Sequence, residues 1–409
     1  MMKAFPKIDM AEVTRLTRAG QLSEAMALLQ GQSVPPTSDE VAGETIDMVA
    51  PAFHGGAWTA PAAGPTATDH AAHSAGRASA RPGLAETIRA LRERFPKMGD
   101  MPDFGKGMPD IGGGTRSSRG ATVEVPAGAR FEERSFANAA GSRTYKVYVP
   151  SGYEGQALPV VIMLHGCTQN PDDFALGTGM NALAEEQTFI VAYPGQPQSA
   201  NMQKCWNWFN AGDQQRGSGE PSLISGIALE VVREFSAEPN RVYAAGLSAG
   251  GAAAAIMAAT YPDVFAAVGV HSGLPCGAAT DMPGAFAAMN GGGTVRARKD
   301  DRGIPTIVFH GDADKTVKPI NGEQVFALAM PNAALSQTVN QGESTEGMAF
   351  TRTVRADDAG RPMLEHWALH GAGHAWSGGS RDGSYTDPRG PDASREMVRF
   401  FMTHTKSPS

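Results

Sequence analysis

Ser248 is the residue of this 409-residue sequence best placed for nucleophilic chemistry, inside Gly246-Leu247-Ser248-Ala249-Gly250. A bare Gly-x-Ser-x-Gly match is weak, and the context makes it strong. Arg241-Val242-Tyr243-Ala244-Ala245 leads in as a strand and the Ala-rich stretch 249–261 leads out as a helix. A tight strand-to-helix turn lifts the hydroxyl above the sheet at a helix N-terminus, where negative charge is stabilised. A serine hydroxyl still needs a base, and that base needs an acid to orient it.

The acid candidates are Asp312 and Asp314, in His310-Gly311-Asp312-Ala313-Asp314 after the apolar run 304–309. Both qualify by position. Asp314 is the favoured acid, and Asp312 is expected to shape the turn with its own side-chain hydrogen bonds. Four histidines follow: His366 and His370 in or at the end of the strand-like segment 362–370, His374, and His404 near the C-terminus. His374 lies in Gly371-Ala372-Gly373-His374-Ala375-Trp376, a glycine loop able to carry an imidazole over Ser248. The order Ser, Asp, His suits acyl transfer through a covalent intermediate, which needs no cofactor.

Acyl transfer develops an oxyanion, which preorganised backbone N–H groups stabilise. Ala249, after the nucleophile, is one expected donor. Cys167, in His165-Gly166-Cys167-Thr168-Gln169 after the buried-strand run 159–164, is the other, with His165 orienting the loop. Cys205 opens Cys205-Trp206-Asn207-Trp208-Phe209. A Cys167–Cys205 disulfide would pin this irregular stretch beside the oxyanion loop; the alternative is two buried thiols. Cys276 is left over and is read as inert. Trp206, Trp208 and Trp376 fall in loops tied to the site, and suit either a cleft wall for an apolar ester or packing beneath those loops. No Cys/His pair has metal-ligand spacing.

These groups need a rigid frame. Strand-like segments at 130–137, 143–149, 159–164, 189–193, 241–245, 264–270, 306–309 and 362–369 alternate with helical segments at 172–187, 224–235, 249–261 and 394–403. That alternation predicts an α/β fold with a mostly parallel sheet, helices on both faces, and the first two strands as an antiparallel edge. The first part of the chain differs. Residues 9–30 read as two short helices broken at Gly20, 32–82 as an Ala/Gly/Pro/Ser/Thr linker, and 84–95 as an amphipathic helix through Leu84, Ile88, Leu91 and Phe95. That helix is expected to dock on the chain's own body or to adhere to a hydrophobic surface. Residues 98–120 read as a Met/Gly-rich tether, so the organisation is an extension, 1–120, and a catalytic domain, 121–409.

Net charge is -7, which argues against nucleic acid as the main partner. Three cysteines exclude a disulfide-framework protein. No apolar run reaches the length of a transmembrane helix, and residues 1–35 lack the apolar core of a secretory signal.

Taken together, these motifs resemble the polyhydroxybutyrate (PHB) depolymerase family of esterases, within the α/β-hydrolases. The matching pieces are His165 to Gln169, Cys205-Trp206-Asn207-Trp208, Gly246 to Gly251, His271-Ser272-Gly273, His310 to Asp314, and Gly373-His374-Ala375-Trp376-Ser377-Gly378-Gly379. The resemblance spans about 121–405. It implies an α/β-hydrolase fold, the triad Ser248, Asp314 and His374, and an oxyanion loop at Cys167. It implies cleavage of short-chain polyhydroxyalkanoate or its oligomers, with feruloyl or acetyl esters of polysaccharides as the alternative. A polyester-granule-binding protein is the non-enzymatic reading. The chain ends soon after His374 and opens without a leader, as expected of an intracellular, short-form member. A cytoplasmic enzyme on a granule is therefore expected, and secretion by another route is the alternative.

Overall fold

A computed structural model describes residues 122–291, 303–330 and 334–406. The expected helices at 9–30 and 84–95 and the linker between them lie outside the described residues.

Among these residues ten strands form one sheet. They are β1 (Arg130–Asn138), β2 (Gly141–Val149), β3 (Val160–Leu164), β4 (Ile190–Pro194), β5 (Val242–Leu247), β6 (Ala267–His271), β7 (Thr306–Gly311), β8 (Ser336–Glu343), β9 (Ala349–Ala356) and β10 (Pro362–Leu369). Their order is β1-β2-β4-β3-β5-β6-β7-β10-β9-β8. The six from β4 to β10 are parallel, while β1 and β2 at one edge and β9 and β8 at the other are antiparallel. Two short strands, β11 (Trp376–Ser377) and β12 (Thr386–Asp387), pair separately.

The central strands are apolar throughout because both faces are covered. Val160-Val161-Ile162-Met163-Leu164 is wholly buried, and its residues alternate between two cores. Helices α1 (Pro171–Thr178), α2 (Met180–Gln187) and α7 (Ala393–Met402) contribute to one core. Helices α3 (Gly219–Glu234), α4 (Ala249–Thr260), α5 (Met282–Met289) and α6 (Ile320–Ala329) contribute to the other.

The structure departs from the expected elements in several places, and α5 and α6 are helices that the sequence reading did not include. Segment 172–187 is two helices, because Gly179 takes φ 64 and closes α1 with its N–H on the Ala175 carbonyl. The sixth strand starts at Ala267, after a turn closed by Val264 and Phe265 N–H on the Tyr261 carbonyl. The β8–β9 hairpin was not foreseen: β8, Ser-Gln-Thr-Val-Asn-Gln-Gly-Glu, is an exposed edge strand with no apolar alternation to announce it.

The parallel strands all end at one edge of the sheet. The loops after β3, β5, β6, β7 and β10 therefore emerge together, where open α/β sheets build their sites. They carry Cys167, Ser248, Asp314 and His374, and His271 closes β6 at the same edge.

Candidate active site

Ser248 links β5 to α4 at φ 58 and ψ -119, a conformation that costs a non-glycine residue about 1–3 kcal/mol. Surrounding backbone holds it there: its N–H donates to the His271 carbonyl (2.9 Å), and its carbonyl accepts from Ala252 N–H (2.9 Å). The second motif glycine is required by close approach, since a Cβ on Gly250 would fall 1.9 Å from the Leu164 carbonyl oxygen. The nucleophile turn is thus pressed against the end of β3. Gly166 faces the turn from the other side, where a Cβ would be in ordinary contact with Ser248 Cβ at 3.6 Å.

Three amides of the 165–169 loop are engaged, two of them within the loop. Gly166 N–H donates to Gln169 Oε1 (2.9 Å), Thr168 N–H to the Gln203 carbonyl (2.6 Å) and Gln169 N–H to the Gly166 carbonyl (3.3 Å). The Cys167 N–H has no acceptor among the described residues, and neither has that of Ala249 at the first position of α4. Both are open donors. Cys167 is disulfide-bonded to Cys205, which ties the 195–210 stretch to this loop; Cys276 is not part of that bond.

His165 is buried, with Nε2 accepting from Gln196 N–H (3.1 Å) and Nδ1 on the Gly166 carbonyl (2.8 Å). Burial lowers its pKa to about 4, so it stays neutral and fixes the loop.

Asp314 and His374 meet directly: His374 Nδ1 lies 2.7 Å from Asp314 Oδ2. The other carboxylate oxygen accepts from Thr316 N–H (2.8 Å) and Val317 N–H (2.9 Å). Burial alone would raise the Asp314 pKa. Hydrogen bonds from His310 and His374, together with the Val317 amide, outweigh it and hold the carboxyl well below the usual carboxylate range. An ionised Asp314 requires the proton on His374 Nδ1, which leaves Nε2 as the basic nitrogen.

Asp312 behaves differently from the expectation. Instead of closing its own turn, it reaches across to the loop after β10, with Oδ1 accepting from Gly371 N–H (2.7 Å) and Oδ2 meeting His370 Nδ1 (2.9 Å). The two aspartates thus pin the start and the middle of one loop. His366 is half-buried against Phe326, and His404 is buried against Phe400, so neither reaches the strand edge.

Two supporting histidines lay in the quoted motifs without an assigned role. His310 Nε2 sits 2.8 Å from the Val317 carbonyl and 3.5 Å from Asp314 Oδ2. His271 is fully buried between Phe309 and Trp376, and its Nε2 accepts from Ser377 N–H (3.0 Å). Burial, reinforced by the nearby His310 and His374, lowers the His271 pKa to about 3, which keeps the acceptor available. A histidine ending a parallel strand was the available signal for both.

The tryptophans correct the cleft-wall expectation. Trp206 is fully buried and donates to the His165 carbonyl (3.1 Å). Trp376 is 1% exposed and donates to Ser394 Oγ (3.0 Å). Trp208 is buried edge-on against Phe209. Each indole supports a loop from below with its large apolar area covered, and Trp206 and Trp376 also satisfy their N–H inside.

Residues 143–340 match the family model described as Esterase PHB depolymerase. Poly(3-hydroxyalkanoate) depolymerase C of Paucimonas lemoignei is 36% identical over 240 residues, covering 56% of this chain and 57% of that protein. Feruloyl esterase B of Thermothelomyces thermophilus is 30% identical over 198 residues, covering 44% of this chain and 67% of that protein. The chain spans about half the length of the first curated relatives it matches. Among solved structures, an acetyl xylan esterase from Aspergillus awamori superposes with a TM-score of 0.53 at 20% identity, covering 67% of this chain and 99% of that one. That likeness bears on the fold, a large mostly parallel sheet flanked by helices. By its sequence matches the chain belongs to the PHB depolymerase family of esterases, and its fold is that of the α/β-hydrolases.

Proposed function

We propose that this chain is a serine esterase that cleaves short-chain polyhydroxyalkanoate, chiefly poly(3-hydroxybutyrate) or its oligomers. The observation that carries the reading is the 2.7 Å Asp314–His374 contact at the strand edge where Ser248 occupies a strained turn. His374 Nε2 takes the Ser248 hydroxyl proton as Oγ attacks the ester carbonyl. Asp314 holds the tautomer and stabilises the imidazolium. The Cys167 and Ala249 N–H groups receive the oxyanion. The imidazolium then protonates the leaving alkoxide, and water cleaves the acyl-enzyme by the same route.

The test is release of 3-hydroxybutyrate from amorphous polymer granules by the wild type beside Ser248→Ala. Ser248-dependent release supports the reading. Ser248-dependent hydrolysis of feruloyl or acetyl esters without polymer release moves the substrate to polysaccharide esters. That second reading is favoured by the feruloyl esterase B and acetylxylan esterase A relatives.

In this proposal residues 121–409 are the catalytic domain, and 1–120 an extension that holds the enzyme on a granule. A truncation beginning near Gly120 that binds granules as well as the full chain would remove that role. Among the described residues no helix is long and apolar enough to cross a membrane. Between a cytoplasmic and an exported enzyme, the Cys167–Cys205 bond favours an oxidising compartment.

A further inference from the structure

Gln169 has a buried amide, and its surroundings dictate which way that amide points. Its Oε1 accepts from Gly166 N–H (2.9 Å), while Nε2 donates to Asp173 Oδ2 (3.0 Å) and to the Ser384 carbonyl (3.1 Å). An N–H faces one end, and a carboxylate with a carbonyl faces the other, so a flipped amide would lose all three bonds. Asp173 is held in turn by Ser384, whose N–H donates to Oδ1 (2.9 Å) and whose hydroxyl donates to Oδ2. Ser384 lies between β11 and β12, in the strap that continues from the His374 loop. Trp376 N–H donates to the Tyr385 carbonyl (2.7 Å), and Ser380 N–H to the Gly177 carbonyl (2.9 Å).

We propose that Gln169 is a positioning residue that selects the open amide of the oxyanion loop and couples that loop to the strap behind His374; this rests on the serine-esterase reading above. Through its side-chain oxygen Gln169 closes the N–H of the His165–Gly166 peptide, and its backbone N–H holds the Gly166 carbonyl of the next peptide (3.3 Å), whose own N–H, that of Cys167, is left as the outward donor. A Cβ on Gly166 would come 3.6 Å from Ser248 Cβ, so this backbone faces the nucleophile and a rotation of the Gly166–Cys167 peptide moves the donor relative to it. Gln169 touches no reacting atom. Its effect belongs to the transition state, where the oxyanion exists, and is small in the ground-state complex.

The experiment compares wild type, Gln169→Leu, Gln169→Glu and Ser248→Ala on a soluble short-chain nitrophenyl ester. It measures kcat, KM and the affinity for phenylboronic acid, whose serine adduct resembles the tetrahedral intermediate. Gln169→Leu should lose roughly 10–100-fold in kcat, the scale of a donor displaced by about 1 Å, with KM nearly unchanged and boronate affinity falling in step with kcat/KM. Gln169→Glu keeps an acceptor for Gly166 but sets a carboxylate against Asp173. Its activity relative to wild type should be low at pH 8 and rise toward pH 5 as the new carboxyl gains a donor proton, while the relative activity of Gln169→Leu stays flat.

A Gln169→Leu enzyme with kcat and boronate affinity within about twofold of wild type overturns the proposal, as does a loss confined to KM. If Gln169→Leu does not fold, the Gln169→Glu pH ratio decides, and a flat ratio overturns the proposal. Turnover that survives Ser248→Ala defeats the esterase reading itself, whereas Ser248-dependent turnover indifferent to Gln169 defeats this inference alone.

Discussion

At the residue scale, the account turns on the division of labour between two aspartates two positions apart. Asp314 is buried and bonded to His374, while Asp312 is half exposed and bonded to His370 and Gly371. Asp314→Asn should therefore lower kcat by about 10⁴-fold, the scale of a triad left with the wrong imidazole tautomer. Asp312→Asn should change kcat by far less. Steady-state kinetics on one soluble ester separates the two, and equal losses would show that the loop tether matters as much as the dyad. The sequence distinguished these residues only by position along the loop. What separates them is depth, because Val317 and His310 fold back over Asp314 while Asp312 faces outward. The same gap hid the tryptophans' role: aromatic residues in loops near a nucleophile read alike whether they face a cleft or fill the space beneath it.

At the element scale, the nucleophile turn, the 165–169 loop and the 371–377 loop are held by different devices. The first is wedged by glycines and the third is bolted by His271 on Ser377. The second is clamped by Gln169 and crosslinked to the 195–210 stretch. A crosslink between positions 38 apart removes chain entropy worth about 4 kcal/mol. Cys205→Ser should lower unfolding free energy by about 2–4 kcal/mol in denaturant titrations, with a fall in kcat that tracks the freed Cys167 loop. An unchanged midpoint under non-reducing conditions would mean the bond adds little. The buried parallel strands were legible because both their faces are apolar. The β8–β9 hairpin was not, since an exposed edge strand carries no such pattern.

At the scale of the whole molecule, four histidines among the described residues, His165, His271 and His404 buried and His366 half-buried, set an acid limit on stability. Burial is the first cause in each: His165, His366 and His404 are lowered to about 4 and His271 to about 3. The unfolded chain holds these imidazoles near pKa 6.5, so between about pH 6.5 and 4 it binds more protons than the folded chain. Stability is therefore full above that window and falls as pH drops through it. Asp314, depressed in the fold, adds a loss at still lower pH, as protons reach a carboxylate that the unfolded chain protonates more readily. Chemical denaturation at intervals from pH 7.5 to 4 should give a steadily falling unfolding free energy, and a flat profile would contradict neutral burial of these rings. The alternation of strands and helices made this architecture readable, down to the antiparallel first edge. The buried histidines were not readable, because a histidine at a strand end looks the same in sequence whether its ring is covered or open.

The most direct measurement is 3-hydroxybutyrate release from amorphous granules by wild type and Ser248→Ala under identical loading. The account predicts release by the wild type and a loss of roughly 10⁶-fold in the variant, the scale for a triad serine. Release that persists in a folded Ser248→Ala protein would contradict it.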